Sequence, residues 1–124
     1  MGLFGGGVVG GGVYELVQKC TQNGRFKALG ASIEIVKICV RSLDKPRDFQ
    51  VDSSSVKFVT DYNEILQDPS INCVIELMGG TTQAKDVVFQ AIKAGKHVVT
   101  ANKALIAQYL PELEAALAAQ PSVK

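Results

Sequence analysis

Apolar and polar positions follow one another in a repeating order, with short apolar runs separated by longer amphipathic stretches. Residues 1–13, MGLFGGGVVGGGV, open on a very short apolar run and pass into six glycines within eight positions, so a first strand must be brief. From Val8 onward Val9, Val13, Leu16, Val17 and Cys20 recur at the spacings of one helical face, and Gly24 can end that helix in a left-handed conformation. Residues 33–40, IEIVKICV, are dense in β-branched side chains and read as a second strand with Arg41 at its C-terminal end. The polar stretch from Ser42 to Ser55, with Pro46 and three successive serines, has no sustained period and reads as a surface loop. Val56–Val59 forms a short third strand, and Thr60-Asp61 offers a cap for a brief helix through Gln67. Asp68-Pro69-Ser70 breaks that helix. Asn72–Met78 is a fourth strand ending in Gly79-Gly80, after which Thr81-Thr82 can cap a helix to about Ala94, closed by Gly95. His97–Thr100 is a fifth strand, and Asn102–Gln120 is helical in pattern, with Pro111 opening a second helix.

The resulting order, β-α-β-β-α-β-α-β-α, predicts an α/β protein with an open, doubly wound and mostly parallel sheet, because parallel strands need helical crossovers. In such sheets ligands bind beyond the C-terminal ends of the strands. The residues to watch are therefore Gly5 to Gly10, Arg41, Thr60, Met78 to Thr81 and Thr100 to Lys103.

Composition narrows the class of ligand. A chain of 124 residues suits one domain, and 47% hydrophobic residues exclude intrinsic disorder as the main state. A net charge of +1 supplies neither the basic field of a nucleic-acid binder nor an acidic tail. No apolar run approaches membrane-spanning length and the N-terminus lacks a secretory pattern, so the chain is expected to be soluble and intracellular, with no nucleic-acid or membrane partner. Cys20, Cys39 and Cys73 form no CxxC pair and read as reduced thiols, and His97 has no ligand-spaced partner, so no metal site is expected.

Gly5, Gly7 and Gly10 satisfy G-x-G-x-x-G between a strand and a helix. The first glycine makes the tight turn, the second lets backbone approach a pyrophosphate, and the third permits close helix–sheet packing. A glycine turn used only for packing is the alternative. After the second strand a dinucleotide site of the NAD type calls for an acid, whereas this sequence places Arg41 there, with Lys45, Arg47 and Lys57 nearby in sequence. Arg41 offers a planar fork to a 2′-phosphate, which favours NADP. Two alternatives stand beside that reading: a solvated arginine paired with Asp44 or Asp48, and an NAD site using Asp44. Lys103, next to Asn102 at the start of a helix, is either a catalytic cation or an ordinary exposed charge beside an N-cap. Glu76 inside an apolar strand reads as a buried carboxyl satisfied by backbone amides or a helix end, and His97 reads as structural.

The segments GLFGGGVVGGGV (2–13), VRSLDKPRDF (40–49), TDYNEILQDPSINC (60–73) and VIELMGGTTQAKDVVFQAIKAGKHVVTANKALIA (74–107) together resemble the N-terminal NAD(P)-binding domain of homoserine dehydrogenase. ELMGG followed by GKHVVTANK is far more specific than the glycine fingerprint. The resemblance spans essentially the whole chain, 1–124, and implies a Rossmann-like fold, a cytoplasmic setting and NAD(P)-dependent interconversion of aspartate 4-semialdehyde and homoserine, toward threonine, methionine and isoleucine. It implies phosphate binding at Gly5, Gly7, Val8, Val9 and Gly10, 2′-phosphate contact at Arg41, nicotinamide-side contacts at Met78, Gly79, Gly80 and Thr100, and an active-site role for Lys103. Gly6 departs from the family's usual larger apolar residue, which is expected to loosen the turn and weaken affinity. The substrate-binding and dimerisation region that follows in the family lies outside these 124 residues, so the expectation is a piece of a longer oxidoreductase, inactive by itself and homo-oligomeric only through that region. The competing expectation is a non-catalytic dinucleotide-sensing module, which would bind without any need for Lys103.

Overall fold

The computed structural model describes residues 1–124. Its five strands are β1 (Gly2–Phe4), β2 (Lys37–Cys39), β3 (Lys57–Val59), β4 (Cys73–Glu76) and β5 (His97–Thr100), ordered β3-β2-β1-β4-β5 and parallel at every pairing. The strand order reverses beside β1, as expected for a doubly wound sheet. Leu3 pairs with Ile38 on one side and Ile75 on the other, and Phe4 with Cys39 and Glu76. A strand paired on both edges and covered on both faces must be apolar at successive positions, and Leu3 and Phe4 are both fully buried.

Successive side chains point to opposite faces and so feed two cores. Leu3, Ile38 and Ile75 pack with Tyr14 of helix α1 (Val8–Gln22). Phe4, Cys39 and Val74 pack with Ile65 and Leu66 of α3 (Asn63–Leu66) and with Val87 and Ala91 of α4 (Thr82–Lys93). Truncating Phe4 to alanine at such a site costs about 3–5 kcal/mol. A third cluster, with Ala84, Val88, Leu105 and Leu113, seats α5 (Lys103–Ala118) on α4. No helix is long and apolar enough to cross a membrane.

Three expectations are corrected. The second strand, expected over 33–40, forms ladder only at Lys37–Cys39, because its partner β1 is three residues long and a strand extends only as far as its neighbour. The buried side of α1 is Gly10, Gly11 and Tyr14, whereas Val8, Val9 and Leu16 of the expected apolar face are 84%, 61% and 59% exposed. Glycines bring the helix axis closest to the sheet, so the side that lacks side chains is the one that packs. Gly24 does adopt a left-handed φ of 75°, but the chain then re-enters a short unforeseen helix, α2 (Arg25–Ala28). The expectation for Pro111 holds: α5 is two helical segments meeting at Tyr109, whose φ of −122° and ψ of 21° are non-helical, and Pro111 stands in the first turn of the second.

Charge concentrates at the N-terminal ends of the strands. Lys37 Nζ lies 2.8 Å from Asp68 Oδ2, and the ammonium of buried Lys96 donates to the carbonyls of Asp68 and Ile71, fixing the turn before β4. Burial pulls the Lys96 ammonium below its ordinary value. These groups are engaged in holding loops, and the opposite end of the sheet is left open.

Candidate functional site

The turn after β1 is built by glycine for three separate reasons. Gly5 has φ of 115°, and a Cβ there would lie 2.9 Å from the Leu77 carbonyl oxygen. Gly10 packs directly against the Gly5 carbonyl, with no room for a side chain. Gly11 faces the Phe49 ring, where a Cβ would come within 2.5 Å of Cδ1. Gly7 is the N-cap of α1 and has open space around it. No side chain caps α1, and its first turn carries no acid. Exposed N–H groups at the positive end of a fifteen-residue helix make an anion site.

These glycines open onto a cleft of about 1030 Å³. One wall comes from β2 and the loop after it, including Cys39, Val40, Arg41, Ser42, Lys45 and Arg47; the other includes Thr60, Tyr62, Leu77, Met78 and Gln83. Arg47 fixes the first wall. Its guanidinium donates to the carbonyls of Lys45, at 2.9 Å, and Ser42, and lies 4.8 Å from the Phe58 ring centre. Phe58 packs on Phe49, and Phe49 on Tyr14, so an aromatic row ties the irregular 42–55 segment to α1. At Gly6 a Cβ would lie 2.6 Å from Val40 Cγ1 and 3.3 Å from Arg47 Nε, so the space beside Gly6 is filled by those two side chains.

Arg41 is exposed on the cleft wall and takes part in neither ion pair of the molecule, Lys37–Asp68 or Lys57–Glu64. It is therefore not neutralised by Asp44 or Asp48. Lys57, near Arg41 in sequence, is far from it in the fold: it begins β3, in register with Lys37, whereas Arg41 follows the other end of β2. Cys39 lines the cleft but is only 2% exposed, and burial, with lesser contributions from Asp61 and Glu64, pushes its thiol up to about 11.

Of the residues marked from sequence, the cleft gathers Gly5, Gly6, Gly7, Val8, Arg41, Thr60 and Met78 on its walls. Gly10 lies behind Gly5 as packing. Val9, Gly79, Gly80, Thr100 and Lys103 do not line it. The last four belong to two strand-end segments joined by hydrogen bonds. Buried Glu76 accepts from the Met78 N–H and the Thr100 hydroxyl, both at 2.7 Å, and Asn102 caps α5 by accepting from the Leu105 N–H at 3.1 Å while donating to the Gly80 carbonyl. Glu76 is thus satisfied by one amide and one hydroxyl, not by a helix end. His97 Nδ1 accepts from the Lys124 N–H at 3.0 Å.

Tyr62 and Gln83, whose side chains meet at 3.1 Å on the cleft wall, were not singled out from sequence. Neither follows a strand directly, and a tyrosine and glutamine at helix starts carry no motif. A second depression, of about 610 Å³ between α1 and residues 50–55, contains none of the marked residues. No three His, Cys, Asp or Glu side chains gather closely enough to hold a metal ion.

A parallel sheet whose order reverses at a glycine turn, with an uncapped helix end over an open cleft, defines a nucleotide-binding domain of the doubly wound α/β class. A family profile described as “Homoserine dehydrogenase, NAD binding domain” matches residues 5–122. The homoserine dehydrogenase of Synechocystis sp. is 48% identical over 113 residues, covering 91% of this chain and 25% of that protein. Crystal structures of homoserine dehydrogenases superpose closely. That from S. aureus at pH 6.0 gives a TM-score of 0.86 at 34% identity, over 98% of this chain and 31% of its own. That from Thiobacillus denitrificans gives 0.85 at 38% identity, over 98% and 27%. The chain belongs to the homoserine dehydrogenase NAD-binding domain family, and its cofactor is a nicotinamide dinucleotide. It spans about a quarter of the length of the curated relatives it matches and corresponds to the NAD-binding part of these oxidoreductases.

Proposed function

We propose that this chain is the cofactor-holding part of a homoserine dehydrogenase and that it takes NADP(H) in preference to NAD(H). The observation that carries the reading is the pairing of an uncapped α1 end at Gly7 with an unpaired Arg41 on the same cleft. A diphosphate suits the backbone N–H groups beginning at Gly7, Val8 and Val9, and Arg41 suits a 2′-phosphate, to which its planar fork donates twice. When bound, the dinucleotide supplies the hydride chemistry, exchanged with the carbonyl carbon of aspartate 4-semialdehyde or the alcohol carbon of homoserine. The protein's own part is position and charge. Met78, which lines the cleft, would border the nicotinamide, with Gly79, Gly80 and Thr100 next to it in the fold, and the Lys103 ammonium would polarise the substrate oxygen and help protonate the alkoxide. In the full-length enzyme the substrate's amine and carboxylate are held by a region outside these 124 residues, which also makes the contacts between subunits. The reaction belongs to cytoplasmic synthesis of threonine, methionine and isoleucine.

Calorimetric titration of the chain with NADP⁺ and NAD⁺ tests the cofactor reading. A charge-assisted contact to phosphate contributes about 1.5–3 kcal/mol, so NADP⁺ is expected to bind about ten-fold or more tightly, with the preference lost in Arg41→Ala. Equal affinities, or a preference that survives the substitution, would rule out the role given to Arg41.

A further inference from the structure

We infer that Glu76 is a positioning residue that locks the nicotinamide end of the cleft, an inference that rests on the dinucleotide reading above. Glu76 ends β4, stands in register between Phe4 and Thr100, and is fully buried. A leucine there would suit the apolar run of β4, and a carboxyl is tolerated only because each oxygen finds a donor. Oε1 accepts from the Met78 N–H, and Oε2 accepts from the Thr100 hydroxyl, whose oxygen accepts in turn from the Asn102 N–H at 3.0 Å. The Asn102 amide then donates to the Gly80 carbonyl. The chain of bonds leaves the 78–80 segment at Met78 and returns to it at Gly80, closing a ring through Glu76, Thr100 and Asn102.

The Met78 side chain packs against two of the cores, but the two glycines after it have no side chain to do so. Gly79 and Gly80 have φ of 76° and 70°, and no atom lies within 4 Å of where a Cβ would stand on either. They are not wedged by packing, so their place depends on the bonds at both ends. The same ring sets Asn102, the N-cap of α5, and therefore the start of the helix on which Lys103 is the first residue. Glu76 does not line the cleft and acts through the segments it joins.

Two ligands that differ only in the nicotinamide separate this role from general stability: NADP⁺ and 2′-phospho-ADP-ribose. Glu76→Gln keeps an acceptor for the Met78 N–H but sets an amide against the Thr100 hydroxyl. Asn102→Ser keeps a capping oxygen but does not reach Gly80. Each is expected to weaken NADP⁺ binding by about five- to ten-fold, the size of one lost hydrogen bond, and to leave 2′-phospho-ADP-ribose within about two-fold of wild type. Equal weakening of both ligands, or unchanged NADP⁺ affinity in a folded variant, would overturn the role of Glu76 alone. If Glu76→Gln does not fold, Asn102→Ser decides by the same comparison. A wild-type chain that binds neither ligand would overturn the dinucleotide reading, and this inference with it.

Discussion

The Gly5 carbonyl oxygen occupies the place where a Cβ of Gly10 would stand, so helix α1 approaches the end of β1 as closely as backbone allows. Gly10→Ala must therefore move either the helix or the turn. Overpacking of this kind costs about 1–3 kcal/mol. Gly12, on the exposed side of the same helix, has nothing within 4 Å, so Gly12→Ala is expected to stabilise by about 0.5–1 kcal/mol through helix propensity. Thermal melts of the two variants check the pair. A Gly10→Ala chain as stable as wild type would show that the turn relaxes freely.

That contrast marks how far the sequence could be read. The strand and helix order was legible because parallel strands covered on both faces leave apolar runs, and Gly24 and Gly95, read as helix ends, both have positive φ. The facing of α1 was not legible, since periodicity counts side chains and the packed surface of this helix begins with two residues that have none, Gly10 and Gly11. The glycine turn and Arg41 stood out by motif and by position after a strand. The role of Arg47 as the brace of the cleft wall did not, because it depends on carbonyls and an aromatic ring brought together by an irregular loop.

Acid should weaken the fold through Asp68. Its carboxyl is held below the ordinary value of 3.8 chiefly because it accepts from the Lys37 ammonium, then from the Ser70 hydroxyl and N–H. A carboxyl whose value falls on folding contributes stability that is complete above its unfolded value and is lost as pH drops through the lower folded one. Asp68→Asn is thus expected to be less stable than wild type near neutrality, with the gap closing as the pH falls below 3.8. Urea unfolding of both chains across that range measures the gap. A gap that stays constant in acid would remove Asp68 from the response.

Cys39 borders the cleft yet should resist alkylation. The thiolate is the reactive form, and burial holds this thiol near 11. Cys73 is also buried and raised, by desolvation, while Cys20 on α1 is partly exposed. Thiol titration near neutral pH is expected to label Cys20 first, with Cys39 and Cys73 reacting only when denaturant is added. Rapid native labelling of Cys39 would mean that the cleft wall opens.

Lys103 poses the sharpest test, which belongs to the full-length enzyme. As the first residue of α5 it sets a positive charge at the positive end of a helix whose first turn holds no acid. That placement opposes the helix dipole by about 0.3–1 kcal/mol, so Lys103→Ala should leave stability unchanged or raise it slightly. If the ammonium stabilises charge developing on the substrate oxygen, the same change should lower kcat by about 10²–10³-fold, as for loss of one oxyanion donor. A more stable protein with a slower reaction is a combination that damage to the fold would not produce. A higher cofactor dissociation constant at unchanged turnover would instead assign Lys103 to binding. Steady-state kinetics at saturating NADPH, with a thermal melt of the same sample, separates these outcomes, and wild-type turnover would retire the catalytic role.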